Sequence, residues 1–302
     1  MLMRFAGVLG VLLSFGSGAR AQDPRPDLLA LLSLPPQEAR VFGLRMVYYE
    51  SGQSTAPVLI LIPGINWEAR HAWAQNVAAL ARTYRVIAID LPGLGRSDKP
   101  LIDFQMETWT DALAEFLRTR SIPRATFAGT AMGGAIAIQM ALAHPELVEA
   151  LVVSATESGP GAAPQTFTGP AFVATLAATR MSLLRTFFEP SLVTDELVRM
   201  RYEYLLGSNI GYTFQRHLAD HRPPFTAAEL RGIRIPALFV WCRQDQRTPL
   251  PEGEAYARAL PDAELSVIDS CGHLPNMEQP KEFNDTVADF LHRRISASAP
   301  PR

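Results

Sequence analysis

The chain has 302 residues, enough for one large core or two small ones, and 48% of them are apolar, which excludes a disordered or fibrous protein. Its formal charge is −2 at neutral pH, and −4 once Arg4 and Arg20 leave with a leader, so neither nucleic acid nor an anionic membrane surface is an expected partner. No cluster of His, Cys, Asp and Glu has metal-ligand spacing and no dinucleotide fingerprint is complete, so no metal and no cofactor is expected.

Residues 1–21 read as a secretory signal: Arg4 gives a positive start, 5–15 an apolar stretch, and Ala19-Arg20-Ala21 a small-x-small cleavage site. No other segment is apolar for long enough to span a bilayer, so the expectation is a secreted or periplasmic protein free of the membrane once the signal is removed. Residues 22–41 are Pro-rich and predict an N-terminal arm. Strands are predicted over 42–50, 58–62 and 85–90, with a helix over 70–82. A helix over 107–120 follows, then a strand over 125–130, an Ala-rich helix over 132–144 that stops before Pro145, and a strand over 148–155. Between them, Gly93-Leu94-Gly95-Arg96-Ser97 reads as a structural turn. Strands over 236–241 and 264–269 and a helix over 281–294 resume the rhythm. Strands alternating with helices imply an α/β protein with a mostly parallel, doubly wound sheet. The alternation lapses over 156–231, which is Gly/Pro-rich and then helical; we expect a helical cap there, inserted into a core made of 42–155 and 232–297. Caps roof a site and supply an apolar pocket.

Residues 127–137 read F-A-G-T-A-M-G-G-A-I-A, where a strand runs directly into a helix. Such a turn, G-x-Nuc-x-G, lifts one side chain out of the sheet, and the glycines stand where no Cβ fits. Gly129 and Gly133 fill the glycine places, but the middle place holds Ala131, which has no nucleophilic atom. Thr130 still points into the strand environment and makes a poor substitute. After strand 236–241 comes C-R-Q-D-Q-R-T-P with Asp245 in a polar loop; after strand 264–269 comes S-C-G-H-L-P with His273. A base beside the nucleophile position and a carboxylate that orients the base are what acyl transfer needs. Asp269 is the alternative acid. Backbone N–H groups of Met132, at a helix N-terminus, and of Ile65 or Asn66, after Pro63-Gly64, are the candidate oxyanion donors. Cys242 and Cys271 flank the acid and histidine loops, so a disulfide between those loops is one expectation and two buried thiols the other.

The order elbow, acid, histidine, together with L-I-L-I-P-G-I-N, V-I-A-I-D-L-P-G-L-G-R-S-D, G-T-A-M-G-G and G-H-L-P-N-M-E-Q-P-K-E-F-N, resembles the α/β-hydrolase superfamily from about residue 42 to 291. The departures are Ala131 for serine and Pro63 where many members carry histidine. S-L-V-T-D-E-L-V-R-M-R-Y-E is similar to the cap of the carbon–carbon hydrolases that cleave meta-cleavage products of aromatic rings, which implies a substrate-carboxylate role for Arg201; Leu274 and Thr130 depart from that subfamily.

The resemblance implies an α/β-hydrolase fold and hydrolysis, without cofactor, of a small, largely apolar ester, lactone or vinylogous diketone. Ala131 is the nucleophile position, His273 the base and Asp245 its partner. Trp67, Phe187, Arg201 and Tyr202 are the candidate substrate-binding side chains. As written, the chain is expected to lack covalent catalysis. The alternative is a family member without a nucleophile, acting as a ligand-binding protein or through His273 and Asp245 as a general base. The expected partner is a small apolar molecule, and the expected state is a monomer or homodimer.

Overall fold

The computed structural model describes residues 26–65, 67–102, 104–157, 159–160, 175–207 and 225–295. The leader at 1–21, the start of the arm, Asn66, parts of the 156–231 segment and the last residues lie outside the described residues.

Eight strands form one sheet in the order β1-β2-β4-β3-β5-β6-β7-β8. They are β1 (Gln37–Val41), β2 (Leu44–Ser51), β3 (Val58–Ile62), β4 (Arg85–Ile89), β5 (Ala125–Thr130), β6 (Val148–Ser154), β7 (Ala237–Cys242) and β8 (Ala263–Ile268). β1 pairs antiparallel with β2 and β2 with β4; every later pair is parallel. The ten helices are α1 (Ala69–Ala72), α2 (Val77–Leu80), α3 (Met106–Thr119), α4 (Met132–Ala143), α5 (Leu176–Thr186), α6 (Asp195–Gly207), α7 (Ala227–Gly232), α8 (Leu250–Ala259), α9 (Pro275–Glu278) and α10 (Pro280–Arg294) among the described residues.

The central strands are apolar runs because both faces of a parallel sheet are covered. Side chains alternate between two cores. Ile60, Ile62, Ile87, Ile89, Phe127 and Phe239 pack on one face, and Leu59, Leu61, Val86, Ala88, Ala128 and Val240 on the other. α4 is apolar nearly all round and is buried accordingly. This is the architecture that the resemblance implies.

Three local expectations need correction. The first strand is a hairpin: Phe42 (φ 48°) and Gly43 (φ 81°) are the turn between β1 and β2, and β1 lies in the stretch expected to be an arm. The predicted helix over 70–82 is broken into α1 and α2 around Asn76, whose amide is drawn inward to Asn276 O and Asn284 Oδ1. The core also resumes before residue 232: Phe225 and Leu230 are buried in it, and the Phe225 ring meets Tyr256 at 6.4 Å.

Parallel strands put their carboxyl ends on one edge, where sites in α/β sheets are built. The loops after β3, β5, β7 and β8 all leave from that edge. So does the chain after β6, which leads to α5 and α6; neither helix joins the sheet.

Candidate active site

The turn after β5 has the strain expected of an elbow. Ala131 holds φ 50° and ψ −124°, a conformation that costs a side-chain-bearing residue on the order of 1–3 kcal/mol. It is held there by Ala131 N donating to Ser154 O at 2.9 Å, and by Ala131 O accepting from Gly134 N at 2.9 Å and Thr156 Oγ1 at 3.1 Å. A Cβ on Gly129 would come within 2.1 Å of Gly133 O, and one on Gly133 within 2.3 Å of Ile62 O, so both glycines are required by close approach. Ala131 is half-buried, whereas Thr130 is buried within β5, which leaves Thr130 out of the site.

The loop after β3 lies beside this turn: a Cβ built on Gly64 would sit 3.4 Å from the Ala131 Cβ. Met132 is the first residue of α4, so its N–H has no acceptor inside the helix. Ile65 is buried in the neighbouring loop, and Asn66, its alternative as the second donor, lies outside the described residues.

Asp245 and His273 meet. His273 Nδ1 lies 3.0 Å from Asp245 Oδ2, with both side chains almost wholly buried. The carboxylate accepts from four donors. Oδ1 takes Arg247 N at 2.8 Å and Thr248 N at 3.0 Å; Oδ2 takes Thr248 Oγ1 at 2.6 Å and the imidazole. Burial alone would raise the Asp245 pKa, but the hydrogen bonds from His273 and Thr248 prevail and hold the carboxyl below its ordinary value. An ionised carboxylate only accepts, so Nδ1 donates to Asp245, which orients the ring as a general base needs. Asp269, the alternative acid, is exposed and paired with Arg243 at 2.6 Å. Cys242 and Cys271 form a disulfide, tying the acid loop to the histidine loop.

Two side chains at this centre escape a reading of the sequence. Thr248 braces Asp245 and sits 3.2 Å from His273 Nδ1. Glu278 is buried five residues after His273 and accepts from Gly272 N, Leu274 N and Phe188 N. Burial raises its pKa to about 7 against the pull of those three donors. The local signals are slight: an acidic residue five positions after His273 and a threonine three positions after Asp245.

The helical insertion faces the site. The Phe187 ring stands edge-on to Trp67 at 6.2 Å, and both are buried. The Arg201 guanidinium lies 5.4 Å from the Trp67 ring and 5.0 Å from the Tyr204 ring. Arg201 is buried, its Nη1 has no hydrogen-bond partner among the described residues, and burial lowers its pKa to about 10. Tyr204 is the α6 ring at this cation; Tyr202, the candidate substrate-binding residue, is half-buried two positions before it. Met181, Leu184 and Phe188 on this insertion are exposed.

Residues 59–286 match the model of the alpha/beta hydrolase family. The 2-hydroxy-6-oxononadienedioate/2-hydroxy-6-oxononatrienedioate hydrolase of Burkholderia vietnamiensis (strain G4 / LMG 22486) is 31% identical over 276 residues, covering 83% of this chain and 92% of its own. Among solved structures, a meta-cleavage product hydrolase from Pseudomonas fluorescens IP01 superposes with a TM-score of 0.78 at 26% identity, covering 86% of this chain and 98% of the other. The enol-lactonase from Burkholderia xenovorans LB400 gives a TM-score of 0.75 at 26% identity, covering 84% and 99%. By family match, sheet order and these relatives together, the chain belongs to the alpha/beta hydrolase family and is related to meta-cleavage product and enol-lactone hydrolases.

Proposed function

We propose that this protein binds a small, largely apolar molecule that carries a carboxylate and an ester, lactone or vinylogous diketone carbonyl. The reaction for which the site is built is hydrolysis of the Ser-His-Asp kind, with position 131 as the attacking position. With a methyl group at 131 the chain as it stands binds such a molecule and forms no acyl intermediate.

The observation that carries the reading is the pairing of a strained elbow with a formed, buried base. Ala131 keeps φ 50° although alanine gains nothing from it, and His273 is bonded through Nδ1 to Asp245. The carboxylate part rests on Arg201, a buried cation with an unpartnered nitrogen beside Trp67 and Tyr204. Among the described residues no carboxylate pairs with it; a buried guanidinium so placed is costly, and a ligand carboxylate would supply an acceptor for Nη1. The names of the relatives, a dienedioate hydrolase and an enol-lactonase, agree with a small acidic substrate. In this proposal Met132 N and Ile65 N hold the developing oxyanion, and α5 and α6 act as a cap over the pocket. The leader read at 1–21 and the Cys242–Cys271 bridge support export to an oxidising compartment.

The test is Ala131→Ser, assayed on p-nitrophenyl esters, enol-lactones and ring-fission dienoates beside the unaltered chain and Ala131→Ser/His273→Ala. Removing one member of such a triad costs on the order of 10⁴- to 10⁶-fold in kcat, so the serine form should gain a comparable factor and lose it again with His273→Ala. A second reading, in which His273 and Asp245 activate water directly, is favoured by the intact dyad. It predicts equal turnover by the serine and alanine forms, and that result would displace the first reading.

A further inference from the structure

The end of α5 and the histidine loop are joined more closely than two neighbouring segments need to be. His273 N donates to Thr186 O at 2.7 Å. A Cβ on Gly272 would come within 2.5 Å of Thr186 O and 2.8 Å of Phe188 N, so backbone lies against backbone. Glu278, the last residue of α9, spans the junction with one carboxylate. Oε1 accepts from Leu274 N at 3.1 Å, Oε2 accepts from Phe188 N at 2.8 Å, and Gly272 N is shared between them at 3.0 Å each. The two residues flanking His273 and the first residue beyond Phe187 thus hang on a single side chain.

This carboxylate is buried and bonded to backbone N–H groups only, with no ion pair among the described residues. Such burial is expensive unless the donors are well placed, and only a group with two acceptor oxygens and no donor satisfies three converging N–H groups. Oε1 serves the histidine loop alone, and Oε2 joins that loop, through Gly272 N, to the insertion, through Phe188 N. Phe187, which packs on Trp67 in the pocket, lies between the two anchor points at Thr186 and Phe188.

We propose that Glu278 is a positioning residue that makes the placement of the His273 imidazole conditional on the seating of the α5–α6 insertion. The pocket wall and the base then move as one unit, and a ligand that seats Phe187 also seats His273. The proposal deepens the functional reading above and rests on it for its catalytic consequence, but the mechanical link holds or fails independently of position 131.

Two variants of the chain as it stands test the link by amide hydrogen exchange with mass spectrometry. Glu278→Gln keeps the shape but turns one acceptor into a donor, so it must release either Phe188 or Leu274. Phe188→Pro removes the donor on the insertion side, together with its exposed ring, and sets the proline Cδ toward Glu278 Oε2; Phe187 before it is already extended (φ −96°, ψ 141°), as a residue before proline should be. Peptides covering 183–189 and 270–276 should exchange faster together in both variants, while β3 peptides keep their protection. In Phe188→Pro the faster exchange at 270–276 counts together with the same change in Glu278→Gln, which adds no bulk at the junction. Faster exchange at 183–189 alone in that variant, or no change at either segment, overturns the proposal and leaves Glu278 a local brace. In the Ala131→Ser background, Phe188→Pro should lower kcat by about ten- to a hundredfold with KM within about threefold, since misplacing a base by about 1 Å costs rate more than binding. If Ala131→Ser is inactive while both segments loosen together, the functional reading fails and the link stands. If it is active and the segments exchange independently, the link fails and the functional reading stands.

Discussion

Ala131 and Arg201 are each held in a state that folding alone would not select. Alanine at φ 50° is strained, and a guanidinium buried between Trp67 and Tyr204 lacks an acceptor for Nη1 among the described residues. Strain and unpaired charge of this kind cluster where a ligand is to be received. Replacing a buried ion by an apolar side chain of similar length is often neutral or stabilising, so Arg201→Met should raise the unfolding free energy of the ligand-free protein by about 1–3 kcal/mol. The same change should weaken binding of carboxylate ligands by about a hundredfold and leave their methyl esters nearly unaffected, because only the charged partner is lost. Denaturant unfolding and calorimetric binding measure both. A destabilised variant that still prefers the acid over the ester would mean that Arg201 serves the fold rather than the ligand.

At the scale of elements, the acid loop after β7 and the histidine loop after β8 are stapled by Cys242–Cys271, which closes a segment with a sequence separation of 29. Chain entropy for a loop of that size predicts a loss of about 3–4 kcal/mol in Cys242→Ala/Cys271→Ala, read as a lower guanidinium midpoint. Peptide mapping without reductant should find neither thiol free to alkylate; two free thiols would remove the staple from the account.

The parallel strands were legible in the sequence because they are buried on both faces and read as unbroken apolar runs between Gly and Pro, as in V-L-I-L-I before Pro63. β1 was not legible: Q-E-A-R-V sends only Ala39 and Val41 into the core, and Phe42-Gly43 lacks the Asn-Gly signal of a tight hairpin. The break between α1 and α2 depends on the buried Asn76 amide, whose partners lie some 200 positions away along the chain. In the site, Ala131, Asp245 and His273 announced themselves through motif spacing. Thr248 and Glu278 did not, because Thr248 acts on a side chain placed by the fold and the partners of Glu278 are backbone N–H groups, which carry no residue code. The contact of Tyr204 with Arg201 was not legible either, because the phase of α6 is set by packing, not by its own weakly amphipathic sequence.

Across the whole molecule, one sheet presents the loops after β3, β5, β7 and β8 at its carboxyl edge, and in the proposed function α5 and α6 act as a cap over them. In this account the elbow, the base and the amides of Met132 and Ile65 are preformed, and only the attacking atom is missing. A covalent probe reads that claim without knowledge of the natural substrate. The Ala131→Ser protein, exposed to a small alkyl phosphonofluoridate, should gain the mass of one phosphonyl group, located at position 131 by peptide sequencing. The unaltered chain should gain none, and Ala131→Ser/His273→Ala should react at least about a hundredfold more slowly, because the base is gone. No adduct on the serine form, or an adduct formed at the same rate without His273, would contradict the account.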